Sequence, residues 1–227
     1  SNDYEEKILK EGNVIASFEK RKKFIQNAIN LRTQSLKKNV LPVCDDSLLE
    51  EVTALVEMPN ILIGEFESKY LDVPQECLIL TMKSNQKYFP IIDSNNKLTN
   101  QFLIVSNLTP VDPKTIIEGN EKVIRPRLAD AEFFFKQDRK NTLLEMSHKL
   151  DKIIYHNKLG SQSDRAKRVA KIHQHIYSEQ AIGDFKDFDR IALLAKADLV
   201  SLMVGEFPEL QGIMGRYYAL NSNEDIS

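Results

Sequence analysis

Residues 61–107 decide the fold class, because short apolar blocks and turn residues alternate there. The blocks read ILIGEF (61–66), CLILTM (77–82), KYFPII (87–92) and FLIVSN (102–107), with the turn sequence SNNK at 94–97. Apolar runs of this length, bounded by turn residues, are typical of β-strands. The stretch therefore predicts a small antiparallel or mixed β-sheet with a hairpin around residues 93–97.

Helical patterns lie on both sides of this stretch. Apolar residues recur at helical spacing over 5–38, which contains no proline, so we expect one or two amphipathic helices there. After the sheet the helical pattern resumes at Lys114, and we predict that Pro126 lies in the first turn of a helix running to about Arg139. Further helices are predicted over 143–158, 163–182, 190–204 and 208–220. The fold class is α+β, with N-terminal helices and a small sheet in an α+β body domain (1–140), followed by an all-helical segment (141–227).

The composition limits the classes of function. The chain has 227 residues and a formal net charge of −2, so binding to nucleic acid would need a local basic patch. Cys44 and Cys77 lack the repeated spacing of a zinc site or disulfide framework, which fits a cytoplasmic protein. No apolar run approaches the roughly 18 residues of a membrane span. The polar ends suggest an expressed fragment of a longer protein.

The N-terminal helical region has a lopsided charge. Residues 19–38 carry seven basic side chains and one acidic one, whereas residues 45–57 carry five acids and no base. The basic strip could face RNA, but a solvated face or a subunit contact is the favoured interpretation. Its cations are Lys20, Arg21, Lys22, Lys23, Arg32, Lys37 and Lys38.

The sequence KVIRPR at 122–127 carries the most suggestive group of cations. Arg125 and Arg127 flank the proline at the predicted helix start, where backbone N–H groups favour anions, so the two guanidinium groups could hold a phosphate. The alternative is that Arg127 pairs with Asp130 or Glu132 and Arg125 with another carboxylate. Spacing alone decides neither.

Phe133, Phe134 and Phe135 follow directly. Successive helical residues turn by about 100°, so the three rings sweep about 200° of the circumference. Either the helix lies between two packed layers, which is the favoured interpretation, or one ring is exposed and can stack on a base or a partner protein.

Lys83, Lys87 and Tyr88 lie in TMKSNQKYFP (81–90), at the predicted junction of two strands. Basic and aromatic residues interleaved on a sheet rim resemble RNA-binding platforms. Core packing of Phe89 beside an exposed Lys87 explains the pattern equally well.

The remaining polar motifs favour structural roles. All four histidines lie in the helical half, but His173 and His175 point to different sides of a helix, so no metal site is expected. Gly212 and Gly215 in GIMG lie on one side of a helix and would allow close approach of another helix or backbone. The match of GIMG to the GXXG loop of KH domains carries little information in helical surroundings.

Four longer segments resemble a known family. They read TMKSNQKYFP (81–90), IEGNEKVIRPRLADAEFFFKQDR (117–139), KLGSQSDRAKRV (158–169) and KADLVSLMVGEFPELQGIMGRYYA (196–219). In this order they resemble the beta subunit of the bacterial two-subunit glycyl-tRNA synthetase, from about Met58 to Ala219. The first fifty or so residues match less distinctively.

The resemblance implies a chain without a catalytic centre of its own. In that family the alpha subunit activates glycine with ATP and magnesium, and the beta subunit supplies most of the tRNA binding within an alpha2beta2 heterotetramer. It implies the alpha subunit and tRNA(Gly) as partners, a cytoplasmic location, no membrane and no cofactor in this fragment. The RNA-facing candidates are Lys83, Lys87, Lys122, Arg125 and Arg127.

The resemblance also implies that the helical segment begins a degenerate domain similar to HD phosphohydrolases. Where those enzymes have a metal-binding His-Asp pair, this sequence has Ala195-Lys196, with Asp198 displaced by two. A lysine would repel a divalent cation, so lost metal chemistry is expected. Two alternative functions remain, namely an assembly scaffold for the alpha subunit without RNA contact, and a metal-dependent HD phosphohydrolase, against which the missing pair counts.

Overall fold

The computed structural model describes residues 2–36, 39–180 and 188–224. Contacts within the chain divide it into two compact units, Ser1–Asp130 and Ala131–Ser227. No helix among the described residues has both the length and the apolar character that crossing a membrane requires.

The first unit consists of helices around one sheet. The α+β class predicted from the sequence is confirmed. Side-chain caps begin two of its helices, since Ser17 accepts a hydrogen bond from Lys20 N–H and Asp45 accepts one from Leu48 N–H. Its elements in chain order are α1 (Asn2–Gly12), α2 (Phe18–Gln34), β1 (Val40–Pro42), α3 (Asp46–Leu55), β2 (Asn60–Glu65), a 3₁₀ turn (Ser68–Asp72), α4 (Gln75–Gln86), β3 (Phe89–Asp93), β4 (Leu98–Ser106) and the start of α5 (Lys114–Asp138).

The sheet is antiparallel throughout, with the strand order β1-β3-β4-β2. The predicted hairpin is confirmed between β3 and β4. Its turn is stabilised by the Asp93 carboxylate, which accepts hydrogen bonds from the N–H groups of Asn95 and Lys97 at 2.8 and 2.9 Å. Asn96 supplies the positive φ of 57° that the turn requires.

Both faces of the sheet are covered by apolar groups. On one face Phe89 and Leu103 join a buried cluster with Ile25 and Ile29 of α2 and Leu49 of α3. On the other face the Phe102 ring is fully buried. It stacks on Tyr88 at 4.7 Å between centroids and on Phe66 at 6.4 Å. The alternation of Phe102 and Leu103 between the two faces follows from the two-residue period of a strand.

The block CLILTM, predicted as a strand, is part of helix α4 instead. Its buried residues are Cys77, Leu78, Thr81 and Met82, which recur at the helical spacing of four. Thr81 Oγ1 donates a hydrogen bond to the carbonyl of Cys77 at 2.8 Å. A short apolar run fits a buried helix as well as a buried strand, so the strand prediction was wrong.

Helix α5 begins earlier than predicted. The Asp112 carboxylate accepts a hydrogen bond from Lys114 N–H at 3.0 Å, and the helix then runs through Pro126, which lies in its interior. The predicted start at Pro126 was therefore wrong. Because Arg125 lies about three turns inside the helix, its neighbouring N–H groups are used by the helix itself and are not free to bind an anion.

Over residues 131–180 and 188–224 the regular structure of the second unit is helical except for one short hairpin. The predicted all-helical segment and its unbroken helices over 143–158, 190–204 and 208–220 were wrong, because 3₁₀ turns and the hairpin interrupt them. The elements that follow α5 are α6 (Leu143–Ser147), a 3₁₀ turn (Leu150–Lys152), β5 (Ile154–His156), β6 (Gly160–Ser161), α7 (Gln162–Gln180), α8 (Phe188–Leu194), a 3₁₀ turn (Ala197–Val200), α9 (Leu202–Glu206), a 3₁₀ turn (Pro208–Leu210) and α10 (Ile213–Asn221).

The three phenylalanines occupy different environments. Phe135 is buried and stacks on Tyr218 at 6.3 Å between centroids. Phe133 is 54% exposed and contacts Phe134 edge to face. The expectation that packed layers enclose the whole triplet is therefore wrong for Phe133, and the alternative of one exposed ring describes the structure.

Candidate nucleic-acid interface

Lys83 and Lys87 are occupied by ion pairs within the first unit. They lie in the last turn of α4 and at its left-handed cap, where Lys87 has φ 58°. Lys83 Nζ contacts the Asp45 carboxylate, and Lys87 Nζ lies 2.8 Å from Glu51 Oε1. The acidic stretch after α2 therefore neutralises both lysines, which weakens their case as RNA contacts.

The pairing with Lys83 contributes to a strong change in the pKa of Asp45. Burial by itself would raise its pKa, but hydrogen bonds from Lys83 Nζ, Leu48 N–H and Ser47 Oγ outweigh burial and lower the pKa to about 2. Asp45 is therefore ionised at neutral pH and serves both as the N-cap of α3 and as the counter-ion of Lys83.

Three of the basic side chains on α2 also have partners within the first unit. Lys20 contacts Glu5, and Lys22 Nζ lies 2.9 Å from Glu50 Oε1. Arg21 donates from Nε to the carbonyl of Thr53 at 2.9 Å and from Nη1 to that of Ile15 at 2.5 Å. These contacts support the interpretation of a structural, solvated face. Lys37 and Lys38 lie outside the described residues.

The three candidate cations on α5 differ in whether a carboxylate neutralises them. Arg125 Nε lies 2.7 Å from Glu67 Oε1, which is the neighbouring-carboxylate alternative. Lys122 and Arg127 are exposed. Among the described residues no carboxylate lies within 4.0 Å of their charged nitrogens, so Arg127 pairs with neither Asp130 nor Glu132.

The three α5 cations do not share one face. Lys122 and Arg125 are three residues apart and lie near each other, whereas Arg127 is turned by about 200° from Arg125. The proposed pair of guanidinium groups around one phosphate is therefore wrong. Two separate unneutralised charges, Lys122 and Arg127, remain as the candidate contacts to a polyanion.

Two helix starts in the second unit are capped by buried carboxylates. Asp138 accepts hydrogen bonds from Leu202 N–H at 2.8 Å and Met203 N–H at 3.0 Å, at the start of α9, and from Tyr218 Oη at 2.7 Å. An internal carboxylate thus satisfies N–H groups that could otherwise attract an external anion.

The carboxylate of Asp198 has the same role at α10. Its Oδ2 accepts hydrogen bonds from Gly212 N–H at 2.5 Å and Gly215 N–H at 3.0 Å. A Cβ on Gly215 would lie 3.1 Å from this oxygen, whereas no described atom lies within 4 Å of a Cβ on Gly212. The predicted approach of another helix or backbone to both glycines was therefore wrong, because the neighbour at Gly215 is the Asp198 side chain. Gly212 adopts φ 83°. Sequence reasoning missed both caps, because Asp138 and Asp198 lie far along the chain from the helices they cap.

Comparison with known proteins identifies the family of the chain. The model of the glycyl-tRNA synthetase beta subunit family matches residues 1–227. The chain belongs to this family. It is 54% identical over 230 residues to the glycine–tRNA ligase beta subunit of Delftia acidovorans, covering 100% of the chain and 32% of that protein.

Two further relatives carry the same name. The protein from Janthinobacterium sp. (strain Marseille) is 56% identical over 97% of the chain and 31% of its own length. That from Polaromonas naphthalenivorans is 57% identical over 93% of the chain and 30% of its own length. This beta-subunit chain thus spans about a third of the curated relatives it matches.

Two of the four histidines make local side-chain contacts. The His173 ring packs edge to face on Phe188 at 4.3 Å between centroids. His156 Nδ1 accepts a hydrogen bond from Lys158 N–H at 3.1 Å. Over residues 2–36, 39–180 and 188–224, no three His, Cys, Asp or Glu side chains are grouped so that they could hold a metal ion.

Proposed function

We propose that this chain is a non-catalytic segment of a glycyl-tRNA synthetase beta subunit that contributes to tRNA(Gly) binding. In this proposal the full-length beta subunit, here called the parent, works in the cytoplasm as an alpha2beta2 heterotetramer. The alpha subunit uses ATP and magnesium to activate glycine. The described segment acts on the step in which glycine is transferred to tRNA.

One observation carries the RNA part of the proposal. Among the described residues no carboxylate neutralises Lys122 or Arg127 on α5, whereas Lys83, Lys87 and Arg125 each have one. Binding to a phosphate backbone needs exposed cations on a rigid element. The family membership supplies tRNA as the polyanion.

An assembly role is the second candidate, favoured by the exposed apolar side chains of α5. Val123 is 48% exposed and Phe133 is 54% exposed, and large exposed apolar groups are enriched where another protein binds. In this alternative the segment holds the alpha subunit and does not touch RNA.

The test uses the parent beta subunit together with the alpha subunit. Glycylation of tRNA and glycine-dependent pyrophosphate exchange are measured in parallel for the wild type and for Lys122→Ala/Arg127→Ala. We expect the KM for tRNA to rise roughly fivefold, equivalent to about 1 kcal/mol for two exposed charge contacts, with pyrophosphate exchange retained.

The control variant Lys10→Ala/Lys97→Ala removes two other exposed lysines of the first unit and should leave both activities unchanged. A parallel loss of glycylation and exchange in the α5 variant would indicate a role in folding or assembly and would favour the scaffold. Unchanged kinetics in that variant would refute the tRNA contact.

A further inference from the structure

The β5–β6 hairpin of the second unit presents exposed side chains on a fixed backbone. All three residues of β5 are exposed, and Tyr155 is exposed by 42%. The backbone is held in place, since Gln162 N–H donates to the carbonyl of Ile153 at 2.8 Å and Leu159 N–H donates to that of His156 at 3.0 Å. An aromatic ring on a fixed strand can bind a partner with little loss of conformational entropy.

The Tyr155 ring lies against an arginine of α7. The Arg165 guanidinium is 4.7 Å from the centroid of the ring, which is close enough for a cation–π interaction. Arg168 follows three residues later, about 60° round the helix, and is exposed. It faces away from the side of α7 on which Ala170 is buried. The side chains of Tyr155, Arg165 and Arg168 are called here the Tyr155 platform.

The acids of this region lie on the other side of the hairpin. Ile154 and His156 alternate with Tyr155 along β5 and therefore point to the opposite face. They line a cavity there together with Asp151 and Asp164. The hairpin thus separates an acid-containing side from the side that carries the aromatic ring.

The region as a whole is strongly basic. The Asp164 carboxylate is engaged with Ser161, whose N–H and Oγ donate to it at 2.9 and 3.0 Å. Lys167 lines the cavity, whereas Arg165 and Arg168 belong to the platform. Among the described residues no carboxylate lies within 4.0 Å of the charged nitrogens of any cation between residues 149 and 171. Against two acids, this stretch carries seven such cations, namely Lys149, Lys152, Lys158, Arg165, Lys167, Arg168 and Lys171.

An aromatic ring combined with free guanidinium groups suits a nucleotide. Bases stack on tyrosine rings and on the planes of arginine side chains, and guanidinium groups bind phosphate through charge-assisted hydrogen bonds. The platform offers both kinds of contact on one side of the hairpin. Bases inside a duplex already stack on one another, so an unpaired nucleotide is the ligand that this surface fits.

We propose that the Tyr155 platform is a second tRNA contact, at which the base of an unpaired nucleotide stacks on the Tyr155–Arg165 pair and Arg168 binds a neighbouring phosphate. This inference rests on the proposed function, because tRNA is the ligand. The contact differs in chemistry from that of Lys122 and Arg127 on α5, since stacking on Tyr155 does not depend on its charge.

The experiment measures the binding of fluorescein-labelled tRNA(Gly) to the complex of the parent beta subunit with the alpha subunit, by anisotropy at about 50–200 mM salt. Tyr155→Ala should raise the Kd at least about fivefold and leave the slope of log Kobs against log salt concentration unchanged, because it removes no charge. Arg168→Ala should make that slope shallower by about 0.7–0.9. Tyr155→Phe keeps the ring and should bind like the wild type. The matched control Ile154→Ala changes a side chain that is 72% exposed on the opposite face and should also bind like the wild type.

Tyr155→Leu guards against a folding defect, because leucine fills the space beside Arg165 without offering a stacking face. Its Kd should rise as that of Tyr155→Ala does, with the thermal midpoint of the complex unchanged. A wild-type Kd in both variants would overturn the proposal, as would a rise found only together with a lower midpoint. Weaker association with the alpha subunit at unchanged tRNA affinity would also overturn it and would indicate a protein contact.

Lys122→Ala/Arg127→Ala in the same assay separates this inference from the proposed function. If the α5 variant weakens binding and the Tyr155 variants do not, the proposed function stands and the platform is refuted. If none of these variants changes the Kd, the proposed tRNA contacts of both units are refuted.

Discussion

At the level of single residues, Gly64 shows how closely the sheet packs on its aromatic face. A Cβ placed on Gly64 would lie 2.6 Å from Cζ of Phe102 and 2.9 Å from Cε2. The Phe102 ring cannot retreat easily, because it is fully buried and stacks on Tyr88 and Phe66. We expect Gly64→Ala to lower the free energy of unfolding by about 1–3 kcal/mol, the usual cost of overpacking.

The measurement is urea unfolding followed by circular dichroism, because the chain has no tryptophan. Gly119→Ala is the matched control. No atom lies within 4 Å of a Cβ at this helical position, so the substitution should raise the free energy of unfolding by about 0.5–1 kcal/mol. If the two variants change stability in the same direction, the contact with Phe102 does not explain the effect at Gly64.

Asp45 gives a prediction about pH. Its folded-state pKa of about 2 is below the ordinary value of 3.8, so its contribution to stability is full above about pH 4 and is lost as the pH falls towards 2. Asp45→Asn removes the charge but keeps a good N-cap. Because the carboxylate is 40% exposed, the loss at neutral pH should not exceed about 1 kcal/mol.

The wild type and Asp45→Asn are compared by their urea midpoints at pH 7, 4 and 2.5. The two midpoints should differ at pH 7 and 4, and the difference should narrow at pH 2.5, which approaches the folded-state pKa of about 2. Lys83→Met, which removes the other partner, should reduce the same pH-dependent difference. A gap that stays constant down to pH 2.5 contradicts the pairing.

At the level of elements, Pro126 is the anomaly of α5. It has no N–H to donate within the helix, and a proline in a helix interior costs roughly 3 kcal/mol. Pro126→Ala should therefore raise the free energy of unfolding by about 1–2 kcal/mol, after allowing for the extra freedom of the unfolded chain. Thermal unfolding measures the change. Pro113→Ala, placed just before the helix, should bring no gain, and an equal gain there would mean that interior strain is not the cause.

Several elements could be predicted because their signals are local. The strands β2, β3 and β4 and the hairpin between them follow from short apolar blocks and the turn residues Asp93 to Lys97. The secondary structure of CLILTM could not be predicted, since a six-residue apolar run fits a buried helix as well as a buried strand. Strand β1 was missed because it has only three residues, Val40–Pro42.

The candidate site depended on contacts between distant parts of the chain. The partners of Lys83, Lys87 and Arg125 are Asp45, Glu51 and Glu67, and no spacing rule connects residues so far apart in sequence. The sequence therefore identified basic side chains correctly but could not say which of them are neutralised. Likewise, proline is favoured in the first turn of a helix, but α5 begins at Lys114, where the Asp112 carboxylate accepts a hydrogen bond from Lys114 N–H.

At the scale of the whole molecule, the net charge of −2 does not distinguish cations that pair with an internal carboxylate from cations that do not. Most lysines and arginines of the first unit that were candidates for RNA binding are internal counter-ions, whereas Lys122 and Arg127 are not neutralised by a described carboxylate. Under the proposed function, the contribution of this segment to tRNA binding should depend on the second class of cations. This distinction can be measured as a dependence on salt, because each phosphate contact releases counter-ions.

The slope of log Kobs for tRNA against log salt concentration measures the number of those contacts. In Lys122→Ala/Arg127→Ala we expect a slope that is shallower by roughly 1.4–1.8, since each lost contact contributes about 0.7–0.9. Lys83→Ala/Lys87→Ala removes the same number of charges, but Asp45 and Glu51 already neutralise these lysines, so its slope should equal that of the wild type while its stability falls. Fluorescence anisotropy with labelled tRNA at about 50–200 mM salt covers the useful range. If the two variants change the slope equally, internal neutralisation does not select the RNA contacts, and if neither changes it, the segment acts as a scaffold and the tRNA is bound elsewhere in the parent.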